Sequence, residues 1–452
     1  MVSLASGAVD MKRREFLKYG AAGIASASLG LSADSAFAQS ACGTCGTGLQ
    51  TVGTTSFILG IKDVACTLID GQTVNMLGYS LTSYTRTAPG CVPGPILRAR
   101  EGGRVQITIT NDRKETHGFE IVGIPGTRTE VAPGCSCTIT FTAPVAGTYM
   151  YHDPYGGTPL YRILGLHGVL VIEPIAGMTP RMSRTPYSLD KLAPEQRAAI
   201  TALFDALGTT ARFQGGAAGK WVPAPLNAEH SLQEKIWVCS SVDPKFNALI
   251  TPGQPIASNP TLTSDVVGNF VPRYFTLNNR SGYDLHDDDE TLGHLPVIPK
   301  NYIGEPTLLR IVNAGLAHHA NHFHGNHLMD LAKVDLDPLS PTFGRQLVST
   351  NIFEVDTVPM WPMQRRDLLL PYEIPPDIPY QIPVSGPTGS QFQRMVNGQA
   401  QEPFPLRYVM HCHTEMSQTA AGGNYPQGMV SHWEIHGGLG GRAKAAGKLA
   451  AR

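Results

Sequence analysis

The sequence predicts an all-β chain made of two copies of one β-sandwich, joined by a partly helical segment. Three observations predict it. Charged residues are sparse at 16%, while Gly numbers 48 and Pro 35, a composition of many tight turns. Short runs rich in Val, Ile, Thr and Tyr alternate apolar and polar residues, as half-buried strands do. Blocks of the first half also recur in the second.

The first residues read as an address. Arg13-Arg14-Glu15-Phe16-Leu17-Lys18 is a twin-arginine signal, residues 19–31 are weakly apolar, and Ala36-Phe37-Ala38 fits a small-residue cleavage site. The apolar run is too short and too rich in Gly, Ala and Ser for a membrane span. Residues 1–38 are therefore expected to be a signal peptide, with Met11 a candidate start, and the protein is expected to be periplasmic or secreted. The formal net charge of −1, with no basic cluster, argues against a nucleic-acid partner.

Residues 39–54 form a Cys-containing segment. The eight cysteines are Cys42, Cys45, Cys66, Cys91, Cys135, Cys137, Cys239 and Cys412. An oxidising compartment favours disulfides among the first seven, with Cys42-x-x-Cys45 and Cys135-x-Cys137 as an alternative small metal site. Residues 55–176 make the first β-domain, with strands at 104–110, 137–141, 147–152 and 168–172. Residues 177–231 form the linking segment; Leu192, Ile200, Leu203 and Leu207 give it helical spacing. Residues 232–437 make the second domain, with strands at 235–239, 274–277, 308–312, 367–370, 406–410 and 429–433. Residues 438–452 read as a flexible tail.

The repeat pairs Glu115-Thr-His117-Gly118 with His322-Phe-His324-Gly325. It pairs Tyr149-Met-Tyr-His152-Asp-Pro154 with Tyr408-Val-Met-His411-Cys-His413, and Gly165-Leu166 with Gly428-Met429.

The chemistry-bearing residues concentrate in the second half. In His411-Cys412-His413, at the end of a strand, Cys412 must face one way and its neighbours the other. A thiolate with imidazole and a weak axial Met, here Met429, is the blue-copper ligand set; the competing reading is a buried thiol between hydrogen-bonded histidines. Residues 318–327 hold five histidines in ten positions. His322 and His324 share a strand face, and His319 precedes them within reach of Cys412. Thiolate with imidazoles favours copper over zinc or calcium.

His-x-x-His-x-His-Gly followed far downstream by His-Cys-His and a Gly-Met step resembles the multicopper oxidases. Pro93-Gly-Pro-Ile-Leu-Arg98 with Glu101-Gly, and Gln364-Arg-Arg-Asp367, resemble that family as well. The resemblance implies two cupredoxin-like Greek-key β-sandwich domains, a type 1 copper that accepts electrons, and a multinuclear cluster that reduces dioxygen to water. By matched position His319, Cys412 and Met429 would bind type 1 copper and His322 type 2 copper. His324, His411, His413 and His117 would serve the type 3 pair, joined by His152. The electron donor would be a small molecule, phenol-like, or a metal ion. Asp330, Glu415 and Trp361 are candidates for the substrate side, or plain surface and core.

The chain departs from the family pattern. The first domain reads Glu115-Thr-His117-Gly where His-x-His-Gly is expected, and His152-Asp-Pro154 where a second His-x-His is expected. Ser417 stands where a second type 1 imidazole is expected. Glu115 is a candidate carboxylate ligand or a solvated residue, and His432 and His167 are candidate substitutes. The build also resembles two-domain laccases, which assemble as trimers, so a homotrimer is a candidate state. Nitrite reductases carry the thiolate in the first domain, where this chain has Asp153. The alternative function is an exported copper-binding, electron-transfer or scaffold protein with a degenerate cluster.

Overall fold

The computed structural model describes residues 54–81, 89–174, 185–206, 234–286, 295–301, 306–371 and 405–436, and the backbone of 381–384, 391–396 and 399–403. The expected signal peptide, Cys42, Cys45, the linking segment outside 185–206 and the tail lie outside the described residues.

Nine strands come from the first half: β1 (Thr54–Thr67), β2 (Thr73–Leu81), β3 (Leu97–Arg100), β4 (Arg104–Asn111), β5 (His117–Ile121), β6 (Thr129–Val131), β7 (Ser136–Thr142), β8 (Gly147–His152) and β9 (His167–Glu173). The second half supplies β10 (Glu234–Val242), β11 (Tyr274–Leu277), β12 (Lys300–Asn301), β13 (Thr307–Asn313), β14 (His319–Phe323), β15 (Leu328–Val334), β16 (Gln346–Val348), β17 (Glu354–Val355), β18 (Thr357–Met360) and β19 (Arg365–Leu370). A small meander, β20 (Gln381–Val384), β21 (Gln391–Val396) and β22 (Gln399–Pro403), precedes β23 (Leu406–Cys412) and β24 (Val430–Ile435).

Strand order repeats between the halves. The first half pairs β2-β1-β4-β7 in one sheet and β3-β9-β8-β5-β6 in the other. The second pairs β11-β10-β13-β19, extended by β15 and β16, and β12-β24-β23-β14-β18. Even the strand senses repeat: β1 runs parallel to β4 as β10 does to β13, and β3 runs parallel to β9 as β12 does to β24. Both halves are thus double-sheet sandwiches of one topology, the cupredoxin-like all-β fold.

The alternation in β4 explains the first core. Val105, Ile107 and Ile109 are buried against Phe57, Leu59 and Ile61, while the intervening residues are only partly covered. Burying each such aliphatic side chain contributes roughly 1.5–3 kcal/mol. The second core gathers Trp237, Phe323, Leu309, Ile311, Tyr408, Met410, Cys412, Met429 and Trp433. The helix Pro194–Ala206 in the linking segment lays Ile200 and Phe204 on Leu308, Leu331 and Leu369.

A buried seam joins the halves. Ile96, Val122, Met150, Val169 and Val171 pack on Ile236, Val238, Val312 and Ala314. Beside them runs an ionic network: Arg98 pairs with Glu173 and Glu234, and Arg310 with Glu234 and, at 3.1 Å, Asp367. Thr148 and Tyr187 donate to Asp367 at 2.6 and 3.0 Å. Burial explains why each charge has a partner, since an isolated ion there would be very costly.

Candidate metal centre

Strand β23 divides the chemistry between its two faces. Tyr408, Met410 and Cys412 point into the second core, while Arg407, Val409 and His411 point outward. The neighbouring strand β14 does the same: His319, Asn321 and Phe323 are buried, and His322 lies on the other face. Pairing Asn321 with Cys412 and His322 with His411 sets the two strands in register, so like faces adjoin. Gly325, at φ 93°, turns the chain after His324 where an added Cβ would strike the Tyr408 ring.

On the inner face, His319 Nδ1 lies 3.7 Å from Cys412 Sγ and 3.2 Å from Ser417 Oγ. The Ala320 amide donates to Cys412 Sγ at 3.3 Å, and the Cys412 amide to the Met429 carbonyl at 3.0 Å. His319, Ser417, Cys412 and Met429 are all buried. Burial, helped by His318, holds the His319 imidazole down to about 4, so its ring is neutral and a lone pair is available. Phe275 packs edge-on against the His319 ring, at 6.3 Å between centroids. A neutral imidazole, a thiol and a thioether collected in a dry core match the donor chemistry of a blue-copper site.

The outer face gathers His322, His324, His411 and His413. Ring centroids of His322 lie 4.5 Å from His324, 5.4 Å from His411 and 4.6 Å from His413. Ligand atoms of His322, His411 and His413 all fall within 4.8 Å of one another. His322 Nδ1 is engaged by Thr357 Oγ1 at 2.9 Å and the Asp356 carbonyl at 3.0 Å, which leaves Nε2 facing the cluster. His324 Nε2 and His411 Nε2 face each other at 3.3 Å. Outer-shell contacts that fix ring tautomers are what metal-ligating histidines need. These four residues therefore fit copper.

The first half does not supply the expected partners, and the expected repeat alignment needs correction. Asn111 and Asn313 each anchor the following turn: their side-chain amides donate to Glu115 and Val131 carbonyls in one half and to Ala317 and Met360 carbonyls in the other. In register, Glu120 sits opposite His152 as His322 sits opposite His411, and Ile121 opposite Tyr151 as Phe323 opposite Met410. His117 is thus the counterpart of His319, not of His324, and Asp153 is the counterpart of Cys412. The positions matching His322, His324 and His413 hold Glu120, Val122 and Pro154.

His117 accordingly faces inward. Its Nδ1 contacts Asp153 at 2.7 Å, its Nε2 lies 3.3 Å from Glu115, and its ring meets Tyr161. Burial lowers its pKa, but Asp153 and Glu115 outweigh that and raise it overall. Glu115 is tied to Arg113 at 2.6 Å, so it serves an ion network, not the outer cluster. His152 keeps its matching position, opposite Glu120, buried and pushed down to about 3 by burial and by Arg162.

Other candidates separate as well. His167 Nδ1 donates to the Arg162 carbonyl at 2.9 Å, so that ring is engaged within the first half and not at Cys412. His432 points outward on β24, with Nδ1 2.9 Å from His286 Nδ1 and Nε2 3.0 Å from Glu434. Asp330 pairs with Arg366 at 2.6 Å in the sheet opposite β23. Trp361 meets the His318 ring at a tilt, 4.3 Å between centroids, and Glu415 lines a cavity of about 790 Å³ with Phe275, Met416 and Tyr425. Cys66 and Cys91 are disulfide-bonded, whereas Cys135, Cys137 and Cys239 are free thiols, contrary to a general expectation of pairing. Sequence reasoning missed the convergence of Ser417 on His319. The shared spacing of Asn111 to His117 and Asn313 to His319 was the signal that would have aligned the repeat.

Two cupredoxin-like sandwiches with thiolate and imidazole on opposite faces of one strand define a copper protein class. Residues 69–177 match the family model described as multicopper oxidase, so the chain carries a domain of the multicopper oxidase family. Curated relatives include the copper-containing nitrite reductase of Alcaligenes xylosoxydans xylosoxydans, 30% identical over 22% of this chain and 32% of the relative. The L-ascorbate oxidase of Nicotiana tabacum is 34% identical over 19% of this chain and 16% of the relative. The chain therefore spans about a third or less of the length of these relatives. The solved blue copper oxidase from Nitrosomonas europaea shares the fold at a TM-score of 0.52, with 18% identity over 84% of this chain and 85% of that one.

Proposed function

We propose that this protein is an exported copper-dependent oxidoreductase that takes single electrons from a reduced substrate at the Cys412 site and delivers them to dioxygen at the outer histidine face. The observation that carries the reading is the division of His411-Cys412-His413 across β23, with Cys412 beside His319 and its two neighbours beside His322 and His324. Copper held by these residues would supply one-electron redox chemistry. The chain's own part is positional. The covalent path from Cys412 to His411 and His413 is only a few bonds long, and the buried His319 keeps its side of that path dry.

The donor, phenol-like or a metal ion, is read to approach through the cavity bordered by Phe275, Glu415, Met416 and Tyr425. Phe275 links its wall to the His319 ring. Dioxygen would meet the outer face, where His413 is exposed and His322 and His411 are half-buried. Because the grouped outer-face ligands all come from the second half, a homotrimer in which another copy covers that face is part of the proposal. Residues 13–18 support export by the twin-arginine route into the periplasm.

Copper-loaded protein should be blue and should consume oxygen in the presence of a phenol or ferrous iron. Changing Cys412→Ser should abolish colour and turnover together. Oxygen uptake that survives this change contradicts the proposal. Blue protein with no uptake on any donor would favour the electron-transfer alternative instead.

A further inference from the structure

The loop between His413 and Met429 contains no histidine, and neither His167 nor His432 approaches Cys412. Around His319 Nδ1 the described side chains are instead Cys412 and Ser417. Ser417 is fully buried, and the backbone fixes it there. Its amide donates to the Thr414 carbonyl at 2.8 Å, and its carbonyl accepts from the Met429 amide at 2.6 Å. Met429 in turn accepts from the Cys412 amide at 3.0 Å. Ser417, Met429 and Cys412 are thus chained together by main-chain hydrogen bonds, and the Ser417 hydroxyl is aimed at the imidazole.

A Cβ added at Gly428 would strike the Ser417 carbonyl and the Gln418–Thr419 peptide, so the two segments are already in close backbone contact. His318, the neighbouring imidazole, turns away to Thr414 at 3.4 Å and packs at a tilt against Trp361. The buried Cys239 thiol lies 4.0 Å from the Asn321 amide, within the same core.

We propose that Ser417 closes the Cys412 site in place of a second histidine, so that this centre has one imidazole, His319, and a serine hydroxyl as positioning group. The inference rests on the copper reading of the Cys412 site and says how this chain completes it. The hydroxyl orients His319 through Nδ1 and would stay beside the donor set if His319, Cys412 and Met429 held a soft metal ion. Fewer strong nitrogen donors leave the Cys412 thiolate as the dominant ligand.

The test is pulsed electron paramagnetic resonance on full-length, copper-loaded protein, counting imidazole nitrogens coupled to the blue centre. The expected count is one histidine in the native protein and two in a Ser417→His variant. Ser417→Ala should keep the colour but shift its band and its copper hyperfine splitting. Two imidazoles in the native protein, or a Ser417→Ala spectrum identical to the native one, would overturn the assignment. If Ser417→His does not fold, the native count and Ser417→Ala decide the matter alone. Protein that binds copper with no blue centre at all would instead defeat the broader copper reading.

Discussion

His117 occupies in the first sandwich the place that His319 occupies in the second, yet it faces a carboxylate where His319 faces a thiol. That single exchange puts an ion triad of Asp153, His117 and Glu115 where the second sandwich pairs imidazole with thiol. The imidazole of His117 is held above its usual value, so its contribution to stability is complete below about pH 6.5, the free value. It fades as pH rises through the higher folded value. Changing Asp153→Asn should therefore destabilise the protein most at mildly acidic pH, by about 3 kcal/mol for breaking a buried pair, while leaving the blue colour intact. Urea denaturation at several pH values measures this. A loss of colour, or a loss of stability greatest at alkaline pH, would show that His117 does something else.

At the scale of elements, β14 and β23 were legible in the sequence because their chemistry follows the two-residue alternation of a strand. His322 and His411 fell on one face and Cys412 on the other, as alternation requires. The first half was less legible. Matching motifs by the letters His and Gly set β5 out of frame, whereas the equal spacing from Asn111 to His117 and from Asn313 to His319 sets it in frame. Ser417 was also out of sight, because its role depends on a loop folding back onto β14 and not on spacing within a strand. The strands β3, β10 and β13 carry a different lesson: they hold the seam, where Glu234 on β10 sits between Arg98 on β3 and Arg310 on β13. Burial opposes its ionisation, but the two guanidinium groups pull Glu234 down to about 2. Its contribution is present above about pH 4.3, the free value, and is lost as pH falls toward 2. Changing Glu234→Gln removes the carboxylate shared by Arg98 and Arg310, leaving them Glu173 and Asp367 alone, and should cost about 3 kcal/mol. A thermal melt of that variant near neutral pH, where the native network is intact, should show a clear drop in midpoint; no drop would mean the network adds nothing to the seam.

Over the whole molecule, duplication explains both what the chain keeps and what it has lost. Both halves retain one strand order and an Asn-anchored turn, but among the described residues the group of histidines that could hold a metal ion lies in the second. The first half has become a supporting partner, joined through the seam and keeping His152 at a matching position. If another copy covers the outer histidine face, sedimentation should report a mass three times that of one chain, and a persistent monomer with a full complement of copper would refute that part of the proposal. The claim on which the account depends is that β23 separates two metal-binding environments. Anomalous diffraction at the copper edge, on crystals of copper-loaded protein, tests it directly. The account predicts one peak between His319 and Cys412 and at least one more among His322, His324, His411 and His413. Peaks confined to one side of the strand, or none beside Cys412, would contradict it.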